Sequence, residues 1–100
     1  MEYQKVSQVS QALSHPARIF IAEALWKEGP KYVQDLEKCM PLVQASISHH
    51  LGKLREIDLI GVEEHRLFNQ YYLNKERLDE LAAMYERWFL SFREGRGFEL

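Results

Sequence analysis

The sequence holds one cysteine, Cys39, three prolines, five glycines and no long apolar run. Each shortage excludes something. A lone thiol makes no internal disulfide and no cysteine-cluster metal site within one chain, and it fits a reducing, cytoplasmic setting. Five glycines leave little room for a phosphate-cradling loop. Without ~18 consecutive apolar residues nothing spans a bilayer, so no membrane partner is expected. The opening Met1-Glu2-Tyr3-Gln4-Lys5 lacks the basic-then-apolar order of a secretory signal. A charge excess is missing too. Thirteen Lys+Arg against fifteen Asp+Glu give a net charge of −2, which speaks against a general polyanion binder but leaves room for a local basic face. No Ser/His/Asp or Cys/His order, no paired carboxylates and no glycine loop after a strand points to catalysis, so the chain is read as a non-enzyme without cofactors. What is present, 46% hydrophobic and 28% charged residues over 100 positions, suits a single globular domain.

Apolar spacing sets the organisation. Over residues 3–13, Val6, Val9, Ala12 and Leu13 share one helical stripe. Ser14 can cap the next helix, and Pro16 suits its first turn, where a missing N–H is harmless. That helix, over residues 17–28, is apolar on most sides (Ile19, Phe20, Ala22, Ala24, Leu25, Trp26), which predicts that it is largely buried; Gly29-Pro30 stops it. A short third helix over residues 32–38 turns Val33 and Leu36 inward, and Pro41 marks the turn that follows. Cys39, in that turn, reads as a small buried apolar residue.

The fourth helix, over residues 44–57, spaces Ile47, Leu51 and Leu54 by four and three, with Ala45, Ser46, Ser48, His49, Lys53 and Arg55 on its other faces. Gly52 inside it costs up to ~1 kcal/mol against alanine, which close approach of another backbone would explain. The period then changes. Leu59-Ile60-Gly61-Val62 and Phe68-Asn69-Gln70-Tyr71-Tyr72-Leu73 read as two strands of a hairpin, with the polar Glu63-Glu64-His65-Arg66 between them. Asn74 is a plausible cap for the last helix, over residues 75–92. There Leu78, Leu81, Tyr85, Trp88 and Phe92 form a heptad-like seam. The aromatics Trp26, Tyr85, Trp88 and Phe89 read as core rather than pocket lining.

A short helix, a tight turn and a second helix make a helix-turn-helix, and a hairpin directly after it makes a wing. The expected fold is therefore mainly α with a β-hairpin wing and about five helices, a winged helix-turn-helix. The residues also resemble a family. Leu13-Ser14-His15-Pro16-Ala17-Arg18-Ile19, Val33-Gln34-Asp35-Leu36, Ala45-Ser46-Ile47-Ser48-His49-His50-Leu51-Gly52-Lys53-Leu54-Arg55, Leu59-Ile60 and Tyr71-Tyr72-Leu73, in this order and spacing, resemble the ArsR/SmtB family of bacterial winged-helix repressors. The resemblance covers about residues 6–90. It implies a homodimeric repressor that binds a palindromic operator on double-stranded DNA and releases it on sensing something. The expected division is residues 1–94 as the DNA-binding and dimerisation domain and 95–100 as a frayed tail.

Dimerisation through the first and last helices follows from apolar surface. Val6, Val9 and Leu13 together with Leu81, Tyr85, Trp88 and Phe92 exceed what a lone three-helix core with a hairpin is expected to cover, and a two-fold axis would bury them. The expected DNA contacts lie at the front of the fourth helix. Gln44 can bond adenine bidentately, Ala45 can pack on a thymine methyl, Ser46 and Ser48 can meet bases or phosphates, and His49 stands where many relatives carry arginine or glutamine. Lys53, Arg55 and, at the wing, Arg66 are assigned to phosphates, with Lys5, Arg18 and Lys31 as further sources. His50 is assigned a hydrogen-bonded packing role.

The wing is the weak part of that picture. Residues 41–73 hold three Lys/Arg (Lys53, Arg55, Arg66) against four acids (Glu56, Asp58, Glu63, Glu64). This leaves a second reading open, a winged-helix protein-interaction module that has lost DNA binding. Family members sense metals through a Cys-x-Cys pair in the third helix or through Asp, His and Glu on the last. Here the matching stretches are Tyr32-Val33-Gln34 and a last helix without histidine, so neither metal site is expected. A small-molecule or protein effector stays open.

Overall fold

The helices begin and end where backbone chemistry asks for it. In the computed structural model, which describes residues 2–96, the order is α1 (Glu2–Ala12), α2 (Pro16–Glu28), β1 (Lys31–Tyr32), α3 (Val33–Glu37), α4 (Gln44–Glu56), β2 (Ile60–His65), β3 (Phe68–Leu73) and α5 (Lys75–Arg93). The tail expected at residues 95–100 lies from 97 onward outside the described residues.

Pro16 opens α2 as expected, but the cap is His15, whose Nδ1 accepts from the Ala17 N–H at 3.2 Å. Ser14 instead closes the preceding helix, its hydroxyl donating to the Gln11 carbonyl at 2.7 Å. Gly29 ends α2 at φ 87, a left-handed value that favours glycine. Asn74 caps α5 by accepting from the Arg77 N–H at 3.1 Å. α4 ends with Asp58 in the left-handed region (φ 59) and the Leu59 N–H bonded to the Leu54 carbonyl at 3.2 Å, the six-to-one closure of a Schellman motif.

The core is built on Ile21, Leu36, Ile47, Leu51 and Leu54, all fully buried, so α2, α3 and α4 meet around one centre. Val6 and Val9 of α1, Leu59 and Ile60 at the entry to β2, Tyr71 of β3, and Leu81 and Met84 of α5 extend it. The sheet order is β1-β3-β2, antiparallel throughout. β1 is a two-residue strand that the sequence pattern did not announce. It pairs Lys31 with Tyr71 and Tyr32 with Gln70, and so ties the start of the helix-turn-helix to the wing.

Several expectations are corrected. α2 is not largely buried: Ile21, Ala24 and Leu25 face the core, but Ile19, Phe20 and Trp26 are exposed, Trp26 by 60%. α4 and β3 cover only one side of that helix. Glu63-Glu64-His65 do not form a loop but continue β2, paired with Gln70, Asn69 and Phe68, so the loop is only Arg66-Leu67. No protein atom outside its own helix and neighbours comes within 4 Å of a Cβ built on Gly52, so close packing inside the subunit does not explain it. The close approach is at Gly61, where a Cβ would run into the Tyr72 ring laid across it from β3.

α1 and α5 pack together within one chain, and Val6, Val9 and Leu81 are already buried there. One chain alone therefore leaves only the outer part of the stripe in water, and not the whole stripe as expected. Leu13, Tyr85 and Trp88 are half-buried, while Phe89 and Phe92 are 57% and 56% exposed. Trp88 touches the rings of both, with centroids at 5.0 and 5.1 Å. The molecule is elongated, 50 × 24 × 22 Å, with a radius of gyration of 15.3 Å. A compact chain of this length would have about 13 Å.

The Asn74 cap joins the wing to the dimerisation candidate, which makes it a test of the local reading. Asn74→Ala is expected to lower unfolding stability by about 1 kcal/mol in urea titration, and Asn74→Asp to retain it. Equal losses in both variants would show that the side-chain cap is not what holds the start of α5.

Candidate nucleic-acid interface

α4 has two faces, and the period of 3.6 separates them. Ile47, His50, Leu51 and Leu54 point into the core; Gln44, Ala45, Ser48, His49, Gly52 and Arg55 are exposed, and Ser46 and Lys53 are half-buried at the border. The expected readers thus fall on one outward surface. The side chains of Gln44, Ser46, Ser48 and His49 make no hydrogen bond among the described residues, so their donors and acceptors are free for a ligand. The serines neither cap the helix nor bond back to it. Val43, at the N-cap, offers no side-chain cap either. The first turn of α4 therefore presents unsatisfied N–H groups and the positive end of the helix dipole on the same side as Gln44 and Ser48.

The helix in front of it is set by backbone chemistry. Asp35 reaches back to the Tyr32 N–H at 2.8 Å and fixes the start of α3 where β1 ends. Cys39, expected to be buried, is exposed; its thiol lies 3.4 Å from the Leu36 carbonyl and 3.6 Å from that of Asp35, at the end of α3.

Arg18 was a candidate for phosphate contact, and the structure gives it other work. Its Nε donates to His50 Nδ1 at 3.1 Å, and its Nη1 reaches the Gln11 and Ala12 carbonyls at 3.4 and 3.3 Å. One guanidinium thus links the end of α1, the start of α2 and the middle of α4. His50 is buried and hydrogen-bonded, as expected. With Nδ1 as acceptor, its proton sits on Nε2. His15 stacks at a tilt on His50 with centroids 4.4 Å apart, and His49 lies at 5.9 Å. Burial, then the neighbouring His15, Arg18 and His49, push the His50 pKa below its ordinary 6.5.

The basic candidates divide. Lys53 is 3.5 Å from Glu56 and Lys31 is 3.6 Å from Glu28, whereas Arg55 and Arg66 meet no carboxylate among the described residues. On the wing, Glu63 turns to His65 along the same strand at 3.4 Å. No group of three or more His, Cys, Asp or Glu side chains among the described residues could hold a metal ion. No described helix is long and apolar enough to cross a membrane.

These elements define a winged helix-turn-helix of the kind found in transcriptional regulators. No protein-family model matches the chain. An uncharacterised helix-turn-helix transcriptional regulator of Methanocaldococcus jannaschii is 26% identical over 87 residues, 83% of this chain and 93% of that protein. An ArsR-like transcriptional regulator from Rhodococcus sp. RHA1 superposes with a TM-score of 0.78 at 22% identity, over 92% of this chain and 86% of the other. NolR from Sinorhizobium fredii superposes with a TM-score of 0.69 at 26% identity, over 87% of each chain. The chain has the ArsR/SmtB-type winged-helix regulator fold, without an evident metal-binding cluster among its described residues.

Sequence reasoning placed the outward face of α4 but missed the Arg18–His50 bond. The signal was present, since His15-Pro16-Ala17-Arg18 and His50 both lay in the stretches that carried the family resemblance, but nothing in the spacing joined them.

The bond has a pH signature. Folded His50 resists protonation, so as pH falls below about 6.5 the unfolded chain takes up a proton that the folded chain does not. Its contribution to stability is complete above that pH and falls on acidification until the lowered folded pKa is reached. His50→Gln, which can still accept from Arg18, is expected to flatten the stability curve just below pH 6.5 in denaturant titrations. An unchanged slope would contradict the assignment.

Proposed function

We propose that the chain is a dimeric, sequence-specific transcriptional repressor that places α4 in the major groove at the two half-sites of a palindromic operator and so blocks polymerase. The observation that supports this most is the outward face of α4, where Gln44, Ala45, Ser48 and His49 are exposed and their side chains make no hydrogen bond among the described residues, on a helix whose other side is buried. A surface kept polar, uncapped and unpaired on a rigid element is what base readout needs.

In this reading Gln44 bonds adenine, Ala45 packs on a thymine methyl, and Ser46, Ser48 and His49 meet base edges or nearby phosphates. Lys53, Arg55 and Arg66 hold phosphates and set the register. Gly52 gains a reason it lacks within the subunit. It lies on the outward face between Ser48 and Arg55, where a missing side chain lets a phosphate backbone approach. The dimer forms on the outer part of the terminal-helix stripe: Leu13, Tyr85, Trp88 and Phe92, joined by the exposed Phe89, with Val6, Val9 and Leu81 as the packed layer behind them. The inducer is not a metal at the family's usual sites. The acidic Glu64, whose carboxylate meets no cation among the described residues, is the feature that favours the second reading, a protein-interaction module that no longer binds DNA.

Binding to a duplex from the chain's own upstream region is expected to weaken steeply as salt rises, because phosphate neutralisation releases counterions. The double variant Ser46→Ala/His49→Ala should lose preference for that duplex over a scrambled one in fluorescence anisotropy. Full specificity in the variant would remove both residues from the readout, and no salt-sensitive binding by the wild type would favour the protein-interaction module.

Gly52→Ala separates folding from binding. It should raise stability by about 0.5–1 kcal/mol through helix propensity while weakening DNA binding. A variant that is both more stable and equally tight would leave Gly52 without a role at the interface.

A further inference from the structure

The tip of the wing is built unlike a plain solvated turn. Strand pairing runs without a break to His65 and Phe68, so only Arg66 and Leu67 form the loop. Two-residue hairpin loops favour glycine, asparagine and aspartate, because they need a positive φ and face water. Here the positive φ of 48 falls on Arg66, at a cost that a glycine would avoid. The position beside it carries Leu67, 90% exposed, more than any other large apolar side chain among the described residues. The base beneath is packed by aromatic contacts. Phe68, opposite His65 and 52% exposed, makes an edge contact with the Tyr32 ring at 6.2 Å, and Tyr32 contacts the His65 ring at 6.5 Å. Leu67 is thus held out on an ordered support, so ordering it on binding costs little.

Charge narrows the occupant. Arg66 has no carboxylate partner among the described residues, and Glu63, three residues before it, is turned to His65. The tip therefore carries one free cation beside one bare aliphatic side chain. It has too few cations to grip a backbone by charge alone, since Glu64 lies behind it. A cation next to an apolar wedge matches the minor groove, where arginine is drawn to the negative potential and leucine can enter between base pairs, unstack them and bend the duplex.

Resting on the proposed DNA-binding function, we infer that Leu67 is a minor-groove wedge, with Arg66 seated beside it in the groove, and that the wing selects sequence through the deformability of the step it opens. Flexible pyrimidine–purine steps would be favoured at that position, with no hydrogen bond to a base from Leu67.

The test uses the full chain and duplexes enriched by it from a randomised library, with 2-aminopurine scanned through the enriched sequence. Unstacking raises the fluorescence of this base. The wild type is expected to raise it at one step in each half-site, outside the major-groove contacts. Leu67→Ser should abolish the rise and weaken binding about tenfold, the scale of one lost base-step preference, while the salt slope stays unchanged. Leu67→Met, which keeps an apolar wedge, should restore the rise. Leu67 makes no core contact, so these variants are expected to fold like the wild type. If the wild type protects its duplex but raises fluorescence nowhere, or if Leu67→Ser keeps the rise, the wedge is wrong and the DNA-binding reading stands. If no duplex is enriched, both fall. If Leu67→Ser leaves DNA binding intact but lowers the protein's mass in solution, the tip is a protein contact and the inference is overturned.

Discussion

A buried apolar stripe and a single guanidinium together hold α4 against the helices before it. Arg18 bonds the two carbonyls at the end of α1 and the imidazole of His50 in the middle of α4. The weight of the attachment is hydrophobic: Ile47, Leu51 and Leu54 are fully buried, and each such side chain contributes about 1.5–3 kcal/mol. A hydrogen bond with one charged partner contributes about as much as one of them. The buried stripe turns Gln44, Ser48 and His49 outward together, and the directional Arg18–His50 bond adds a fixed polar contact to it. Because Arg18 sits two residues past the α2 N-terminus, the same contact sets how α1 leaves the core, and through α1 the placement of α5.

Among the exposed surfaces of the described residues, two lie at different places and differ in chemistry. One is the polar, uncapped face of α4, with Arg55 at one end. The other is aromatic, where Phe89 and Phe92 stand out from a helix that Val6, Val9 and Leu81 pin to the rest of the chain. The chain, 50 Å long, is polar at one of these surfaces and aromatic at the other. In the proposed function a duplex takes the polar surface and a second copy the aromatic one.

Much of this was legible in the sequence, and the exceptions have physical reasons. The inner stripe of α4 and the Asn74 cap are local signals, and both appear in the structure. β1 is not local; two residues become a strand only because β3 lies beside them. Glu63, Glu64 and His65 read as loop because they belong to the part of the wing that stands clear of the core, where a strand loses the alternation that marks it. α2 reads as buried because it is apolar on most sides, yet one chain supplies neighbours for only one of those sides. Gly52 suggested close approach of another backbone, and within the chain nothing described lies beside it. Arg18 looked like a free cation because its partners come from 32 residues ahead and from carbonyls, which carry no sequence signature.

The most direct measurement is methylation interference on the duplex the protein selects, because the guanine N7 that dimethyl sulfate modifies faces the major groove. Two copies presenting α4 side by side predict two interfering patches related by a two-fold axis, separated by about 34 Å or a multiple of it along the duplex. A single patch, or two patches not related by a two-fold axis, would contradict the account.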